Sequence, residues 1–397
     1  MMFSVVIPCH DRIDLLKDAV YTVLQQDFND WELVIFDNAS TGDIAGYVKE
    51  LRDPRVRYER SEKFLPVTDS WNRAINMAVG DHVIFLGDDD GLTPQYFSRM
   101  IPIIEKFEKP EVVYCAIYQF IHPGVAPWAS EGYVADVKNG FFFVGRDKPF
   151  LLSPEQALKA VEGSVSLRRN FTFNIQAFVF SKTFLQRLKQ DGAIFRSPFP
   201  DYYMANVALL KAQSVVVVPD AMSIAGVSKA SFGYTLFNEL EEKGEALLNG
   251  KLTSDALYGE LERFFLPGPL YHTNYVMTME HVVRYVRAVF HHKVDFARYR
   301  RLQIYTMLLR KKKQGLKACF NPSFWRRLSF AEKIWMLGVF SLIKLSKINK
   351  RFSRNAMLRV KNQVEPYAFK ALERVCAQNH YTRSSEVFDA MRAGTLG

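Results

Sequence analysis

Cysteine is scarce in this chain. Cys9, Cys115, Cys319 and Cys376 are scattered without a C-x-x-C pair, which excludes a disulfide-framed scaffold and a cysteine-held zinc site and fits a reducing cytosol. Long apolar runs are also missing. The longest, Ile334 to Ile343, falls well short of the roughly 18 residues that a membrane span requires. The opening MMFSVVIPCHDR has no basic n-region, and its apolar run is too short for a secretory signal, so none is expected. No internal repeat or low-complexity tract interrupts the pattern. What is abundant is core material: 48% hydrophobic and 14% aromatic residues over 397 positions. That composition is globular and long enough for more than one domain.

Acidic residues are nearly absent from one region. Residues 311–361 hold 14 Lys or Arg and a single acid, Glu332, so this segment carries +13 of a net +10 and the remainder is −3. The partner implied by the basicity must therefore meet that region.

Apolar periodicity divides the chain. FSVVI (3–7), WELVIF (31–36), HVIFL (82–86) and EVVYCAIY (111–118) read as buried strands. Between them lie helical patterns over 12–26, with Asp11 as its N-cap, over 70–78, and over 94–107 from Pro94. Alternating strands and helices with continuous apolar strands predict an α/β fold, a mostly parallel sheet flanked by helices. Further along, 132–147 reads as loop or hairpin, FNIQAFVFS (173–181) as a strand, 182–190 and 200–212 as helices, and SVVVVP (214–219) as a strand. From about 231 the pattern is mainly helical. The expected division is 1–230 and 231–397.

Polar residues gather where the first strands stop: PCHDR (8–12), DNAST (37–41) and GDDDG (87–91). A parallel sheet brings such ends to one edge, where its ligands bind. A bare cluster of Asp11, Asp37, Asp88, Asp89 and Asp90 repels itself. A hard divalent cation, Mg2+ or Mn2+, relieves that repulsion and holds phosphate oxygens as well. A nucleotide or diphosphate substrate follows. A solvated turn explains three aspartates equally well on their own; three polar strand ends in register do not reduce to that.

Together SVVIPCHDR, WELVIFDNAST and SWNRAINMAVGDHVIFLGDDDGLTP resemble the family 2 glycosyltransferases of the GT-A fold, over roughly residues 3–107 and more weakly to 230. The resemblance implies a cytoplasmic, metal-dependent, inverting transferase using a nucleoside-diphosphate sugar. It places Pro8, Cys9, His10, Asp11 and Arg12 in the nucleotide-binding turn. Asp37 takes the position that accepts from uridine or thymidine N3–H, with Asn38 and Ser40 in the same loop, and Asn72 takes a helix position facing the donor. Asp88 to Asp90 match the DxD region, with Asp90 and then Asp88 expected at the metal and Asp88 or Asp89 at ribose or sugar hydroxyls. Gly87 stands where the family often has a leading Asp, which leaves the division among the three open.

In related enzymes the general base is an acid opening a later helix, and Asp201 in PFPDYYMANVALL occupies that layout, beside Tyr202 and Tyr203. Asp is also a good helix cap, so that position alone does not make it a base. His122, Arg168 to Asn170, and the loop Ser228, Lys229 and Ser231 are secondary candidates; His291 and His292 lack a third metal ligand. The basic, aromatic segment 311–361 suits the inner membrane surface, where a glycan or lipid-linked acceptor would sit, or a homo-oligomer contact. No nucleic-acid motif accompanies it. Two alternatives stand beside the transferase: a nucleotidyltransferase, disfavoured by the lack of glycines in PCHDRIDL, and a non-catalytic transferase-like binding protein at a membrane.

Overall fold

The structure is a computed structural model. It describes residues 1–138, 141–238, 240, 243–244, 248, 252–309, 321–348, 350–364, 372–378 and 381–396. The basic run 311–320, with Cys319, lies outside the described residues.

Every position of Phe3–Cys9 (β1), Trp31–Asp37 (β2) and His82–Phe85 (β4) is buried. Such strands have no polar face for water, so helices must cover both sides. Successive side chains leave the sheet in opposite directions. Val5, Ile7, Leu33 and Ile35 enter the layer shared with Ile13–Leu24 (α1) and Tyr96–Lys106 (α4). Val6, Val34, Phe36 and Phe85 enter the layer shared with Val67–Ile75 (α3), Pro154–Val165 (α5) and Pro200–Lys211 (α7).

Strands β1, β2, β4 and Val56–Arg60 (β3) are parallel. Val215–Val227 (β10) runs parallel to Val112–Ile121 (β6) along its length. Between these two parallel blocks lies Phe178–Ser181 (β9), antiparallel to both β4 and β6. The expected mostly parallel, helix-flanked sheet is present, and β9 is the departure that matters. Because it runs the other way, the residues leading into it arrive at the edge where β1, β4 and β6 end. Its extent is shorter than the apolar run FNIQAFVFS, since Ile175–Ala177 form a 3-10 turn.

Other elements escape the sequence pattern for identifiable reasons. β10 continues beyond Pro219, with the register jumping between Val218 and Ala221. Proline cannot donate to the ladder, so the strand bulges there and resumes. β3 is a half-exposed edge strand carrying Arg57, Glu59 and Arg60, the charged edge that discourages further pairing and hides the strand from an apolar scan. Within 132–147, Tyr133–Lys138 (β7) pairs antiparallel to β6 and to Leu372–Gln378 (β11). Asp11 does not cap α1: the cap position is Arg12, with no side-chain cap bond, while Asp11 takes a left-handed φ of 52° and turns its carboxylate to Thr41.

Beyond 231, helices Leu270–Tyr285 and Phe296–Leu309 share the α5 and α7 layer through Tyr275, Met279, Tyr299 and Leu302. The chain then returns to the first part. β11 joins the sheet, and helix Ser384–Arg392 docks on α1 through Tyr21 to Asp389 (3.0 Å) and Ser385 to Asp18 (2.6 Å). No helix among the described residues is long and apolar enough to cross a membrane.

Candidate active site

The strand-end loops converge on a cavity of about 550 Å³, in the size range of small-ligand sites. Of the residues expected there, Pro8, Arg12, Asp88, Asp89, Asp90 and Asp201 line it. Each member of the aspartate triplet has different partners within the chain. Asp88 Oδ1 pairs with Arg12 Nη1 at 3.1 Å, while its Oδ2 is buried without a hydrogen-bond partner. Asp89 Oδ2 accepts from Ser228 Oγ at 2.9 Å. Asp90 accepts from the Gly87 N–H at 2.6 Å through Oδ2, and from Gln176 Nε2 and the Gly226 N–H, both at 3.0 Å, through Oδ1.

Burial pushes the Asp88 carboxyl up to about 7, with Arg12 opposing and Asp89 adding to the rise. Burial and the neighbouring Asp89 likewise hold Asp90 well above the usual carboxylate range. For Arg12, burial works against the charge, but Asp88, Asp89 and Asp90 outweigh it and raise the guanidinium. Ionisable groups held out of water at a cost and lining one cleft make a candidate functional site.

A side chain at Gly87 would crowd the carboxylates of its neighbours. A Cβ at Gly87 would sit 2.9 Å from Asp90 Oδ2 and 3.2 Å from Asp89 Oδ1. Gly226 is tighter still, with a Cβ only 1.7 Å from the Asp89 carbonyl oxygen. Gly226→Ala must therefore displace the triplet, at about 1–3 kcal/mol of overpacking strain. Its thermal unfolding midpoint is expected below wild type; an unchanged melt would mean that the loop yields freely.

The other residues expected at the donor make contacts that hold two turns together. Asp37 is fully buried, with Oδ1 accepting from the Ser40 N–H and Oδ2 from Tyr58 Oη, both at 2.8 Å. Asn38 holds the Leu65 backbone through both ends of its amide, each at 2.9 Å. Ser40 Oγ accepts from the Asp11 N–H. Asp11 Oδ1 accepts from the Thr41 backbone N–H and from the Thr41 hydroxyl, and those two bonds lower its carboxyl. Cys9 is core, its thiol raised by burial. His10 Nδ1 lies 2.8 Å from the Asn38 carbonyl, and its ring tilts against half-exposed Phe64 at 4.8 Å. Asn72 is turned to the Phe195 backbone, which it grips at 2.8 and 2.9 Å; its neighbour Trp71 faces the cavity instead.

Asp201 is the second residue of α7, after Pro200 and without a side-chain cap bond at Phe199. Burial raises its carboxyl to about 6, with the Tyr202 backbone N–H and Arg169 pulling it back. Arg169 donates to Tyr202 Oη at 3.2 Å, and Tyr202 meets Tyr271 Oη at 3.0 Å. Tyr202 thus lines the cavity, whereas Tyr203 is fully buried core. Lys229 is exposed and lies over Gly124; its neighbours Ser228 and Ser231 turn inward, joined by a 2.8 Å bond. His122 is buried against Phe120, its imidazole lowered by burial. Arg168 is exposed and His292 pairs with Glu162 at 2.8 Å.

Sequence reasoning missed Gln176, Gly226, Trp71 and Trp128. The one available signal was that β10 ends in an uncharged GVS, a stretch that a backbone can approach closely.

Among the described residues, no three His, Cys, Asp or Glu side chains are disposed as a metal cage. The donor set still fits a hard cation. The unpartnered, buried Asp88 Oδ2 is an oxygen ligand of the right kind, and magnesium commonly takes one or two carboxylates and completes its shell from substrate phosphates and water.

An α/β sheet whose strand ends gather acids and an arginine around one cavity defines the class. Residues 4–171 match the family model described as Glycosyl transferase family 2. It is 33% identical over 99 residues to WcaA of Escherichia coli (strain K12), named as a colanic acid biosynthesis glycosyl transferase, covering 24% of this chain and 36% of that protein. It is also 33% identical over 101 residues to the GalNAc(5)-diNAcBac-PP-undecaprenol beta-1,3-glucosyltransferase of Campylobacter jejuni, covering 25% and 33%. With the PGL/p-HBAD biosynthesis glycosyltransferase of Mycobacterium bovis it shares 30% over 118 residues, covering 28% and 45%. The chain thus spans less than half the length of these relatives. Among solved structures, S. aureus TarS 1-349 in complex with UDP-GlcNAc superposes with a TM-score of 0.48 at 12% identity, covering 88% of this chain and 92% of that one.

Proposed function

We propose that the protein transfers a sugar, with inversion, from a UDP- or dTDP-sugar to a glycan or lipid-linked acceptor in surface polysaccharide or glycolipid assembly. The observation that carries this reading is that Asp201, a carboxyl raised to about 6 by burial, shares one cavity with the Arg12–Asp88 pair. A carboxylate with that pKa is ionised near neutral pH yet basic enough to take a proton. The acceptor hydroxyl gives its proton to Asp201 while its oxygen bonds to the anomeric carbon. The bond from that carbon to the diphosphate breaks, and the electron pair leaves with the nucleotide.

Arg12 is the cation placed to meet the charge growing on the leaving diphosphate. Asp88, through its unpartnered oxygen, would hold Mg2+ or Mn2+; that ion supplies Lewis-acid neutralisation of the leaving group when bound. Asp90 holds the Gly87, Gln176 and Gly226 corner in shape, a different division of labour from the one its place in the DxD region suggested. The relatives' names support the acceptor class, since they speak of colanic acid biosynthesis, GalNAc(5)-diNAcBac-PP-undecaprenol and PGL/p-HBAD biosynthesis.

The test is a screen of nucleotide sugars for cation-dependent binding and slow hydrolysis. No binding of any nucleotide sugar with either cation would refute the reading. The acceptor end has its own check. Trp128 lines the cavity mouth at 62% exposure, edge-on to Phe237 at 4.9 Å, a face on which a sugar ring can stack. Trp128→Ala is expected to raise the acceptor KM about ten-fold while leaving donor binding intact. Equal loss of both would assign Trp128 to the fold instead.

A further inference from the structure

Helix Phe330–Ile348 has two apolar faces. One is buried: Met336 and Val339 have at most 2% exposure and belong to the same apolar layer as helix Phe296–Leu309. Its start is pinned by Arg300, whose Nε and Nη2 grip Glu332 at 2.6 and 2.9 Å. The other face looks outward. Phe330, Ile334, Leu337 and Leu345 are 78%, 56%, 44% and 48% exposed. At 3.6 residues per turn these four fall within about 80° of one another. Leu358, on helix Lys350–Val364, adds a fifth side chain at 45%. Twelve large apolar side chains are exposed among the described residues, and five of them lie in these 29 positions, so the exposure is concentrated and not the scatter of an ordinary surface.

The flanks of this stripe are cationic. Arg326, Arg327, Lys344 and Arg359 are exposed, and residues 311–361 as a whole hold 14 Lys or Arg against one acid. That acid, Glu332, is already consumed by Arg300.

We propose that this face lies flat on an anionic lipid bilayer surface, with Phe330, Ile334, Leu337, Leu345 and Leu358 entering the interface and the arginines and lysines at the headgroups. An amphipathic helix with apolar centre and basic rim binds in this way, by apolar burial added to attraction for anionic lipid. The charge selects the bilayer over a second copy of the chain. Isologous pairing would set this face against itself and bring two strongly positive segments together without acids to neutralise them. This inference goes beyond the transferase reading and does not depend on it, since it concerns a surface remote in sequence from the strand-end loops.

The test is vesicle flotation of the full chain, with phosphatidylcholine vesicles containing phosphatidylglycerol set against vesicles of phosphatidylcholine alone. Wild type is expected to float with the anionic vesicles, to stay behind with the neutral ones, and to be released by high salt. Ile334→Gln with Leu337→Gln should lower partitioning about ten-fold. Lys344→Glu should lower it by at least about five-fold, the loss of one basic residue near the surface. All these positions are exposed, so thermal melts and nucleotide-sugar binding should match wild type, which keeps a failed fold distinguishable from a failed surface. Absence of binding to anionic vesicles would overturn the proposal. So would binding that the Gln variant leaves untouched, or a dimer in sedimentation velocity that the same substitutions dissolve without any vesicle binding.

Discussion

Replacing Asp201 by Asn is expected to lower kcat by about 10²- to 10⁴-fold, the usual contribution of a positioned general base, while nucleotide-sugar affinity stays at the wild-type level. The reason lies in where the charge sits. Burial holds the carboxyl near 6, so the wild-type rate should fall as pH drops through about 6 and the base takes up a proton. The Asn variant should lack that limb. Stability moves the other way. A carboxyl whose folded pKa is raised above its unfolded value of about 3.9 costs the fold stability as pH rises through the window between the two. Asp201→Asn removes that cost, so its melting temperature at pH 7.5 should match or exceed that of wild type. Initial rates from pH 5 to 8, with melts in parallel, check both. A variant with full kcat would reduce Asp201 to the opening residue of α7.

The second large effect separates two neighbouring aspartates. Asp88→Asn should weaken cation-dependent nucleotide binding by about two orders of magnitude, the scale of a lost charged contact of ~2–3 kcal/mol. Its melt should stay close to wild type, because the amide oxygen can still accept from Arg12. Asp90→Asn should do the reverse. Three N–H donors converge on the Asp90 oxygens, and an amide nitrogen there would oppose at least one of them. A buried mismatch of this kind costs about 1–3 kcal/mol. Calorimetric titration with UDP, with Mn2+ present or chelated, together with thermal melts, reads both variants. If Asp90→Asn lost cation dependence without loss of stability, the DxD assignment of the metal to Asp90 would stand and the one argued from the hydrogen bonds would fall.

The legible part of the site was the part encoded locally. The apolar runs of β1, β2 and β4, and the polar residues that end them, are adjacent in sequence, so a scan by periodicity finds the strands and the loops together. The partners of those loops are not adjacent. Gln176 reaches Asp90 from 86 positions away, and Ser228 reaches Asp89 from 139. As single polar residues in apolar surroundings they carry no signature. Gln176 arrives only because β9 is inserted antiparallel between β4 and β6, a choice made by competition among strand pairings. Asp37 and Asn72 illustrate the converse. Their positions match a donor-binding pattern, and what each one touches in the fold is not readable from that pattern: fully buried Asp37 must find partners and has Tyr58 and Ser40, while half-buried Asn72 has the Phe195 backbone.

By itself, then, the sequence determined the α/β class, the family that its first part resembles, the strand-end loops that carry Arg12 and Asp88 to Asp90, and the cationic stretch near the C-terminal end. Those properties follow from residue type and spacing along the chain, which no later folding step alters. Only the tertiary structure decided that Asp90 is consumed by three donors while one oxygen of Asp88 is left without a partner. It likewise brought Asp201 into the same cavity, where burial raises its carboxyl to about 6, and turned four apolar side chains of one helix outward. Each of these depends on what lies within a few ångströms of an atom, and the neighbours that set desolvation, hydrogen bonding and exposure come from distant parts of the chain.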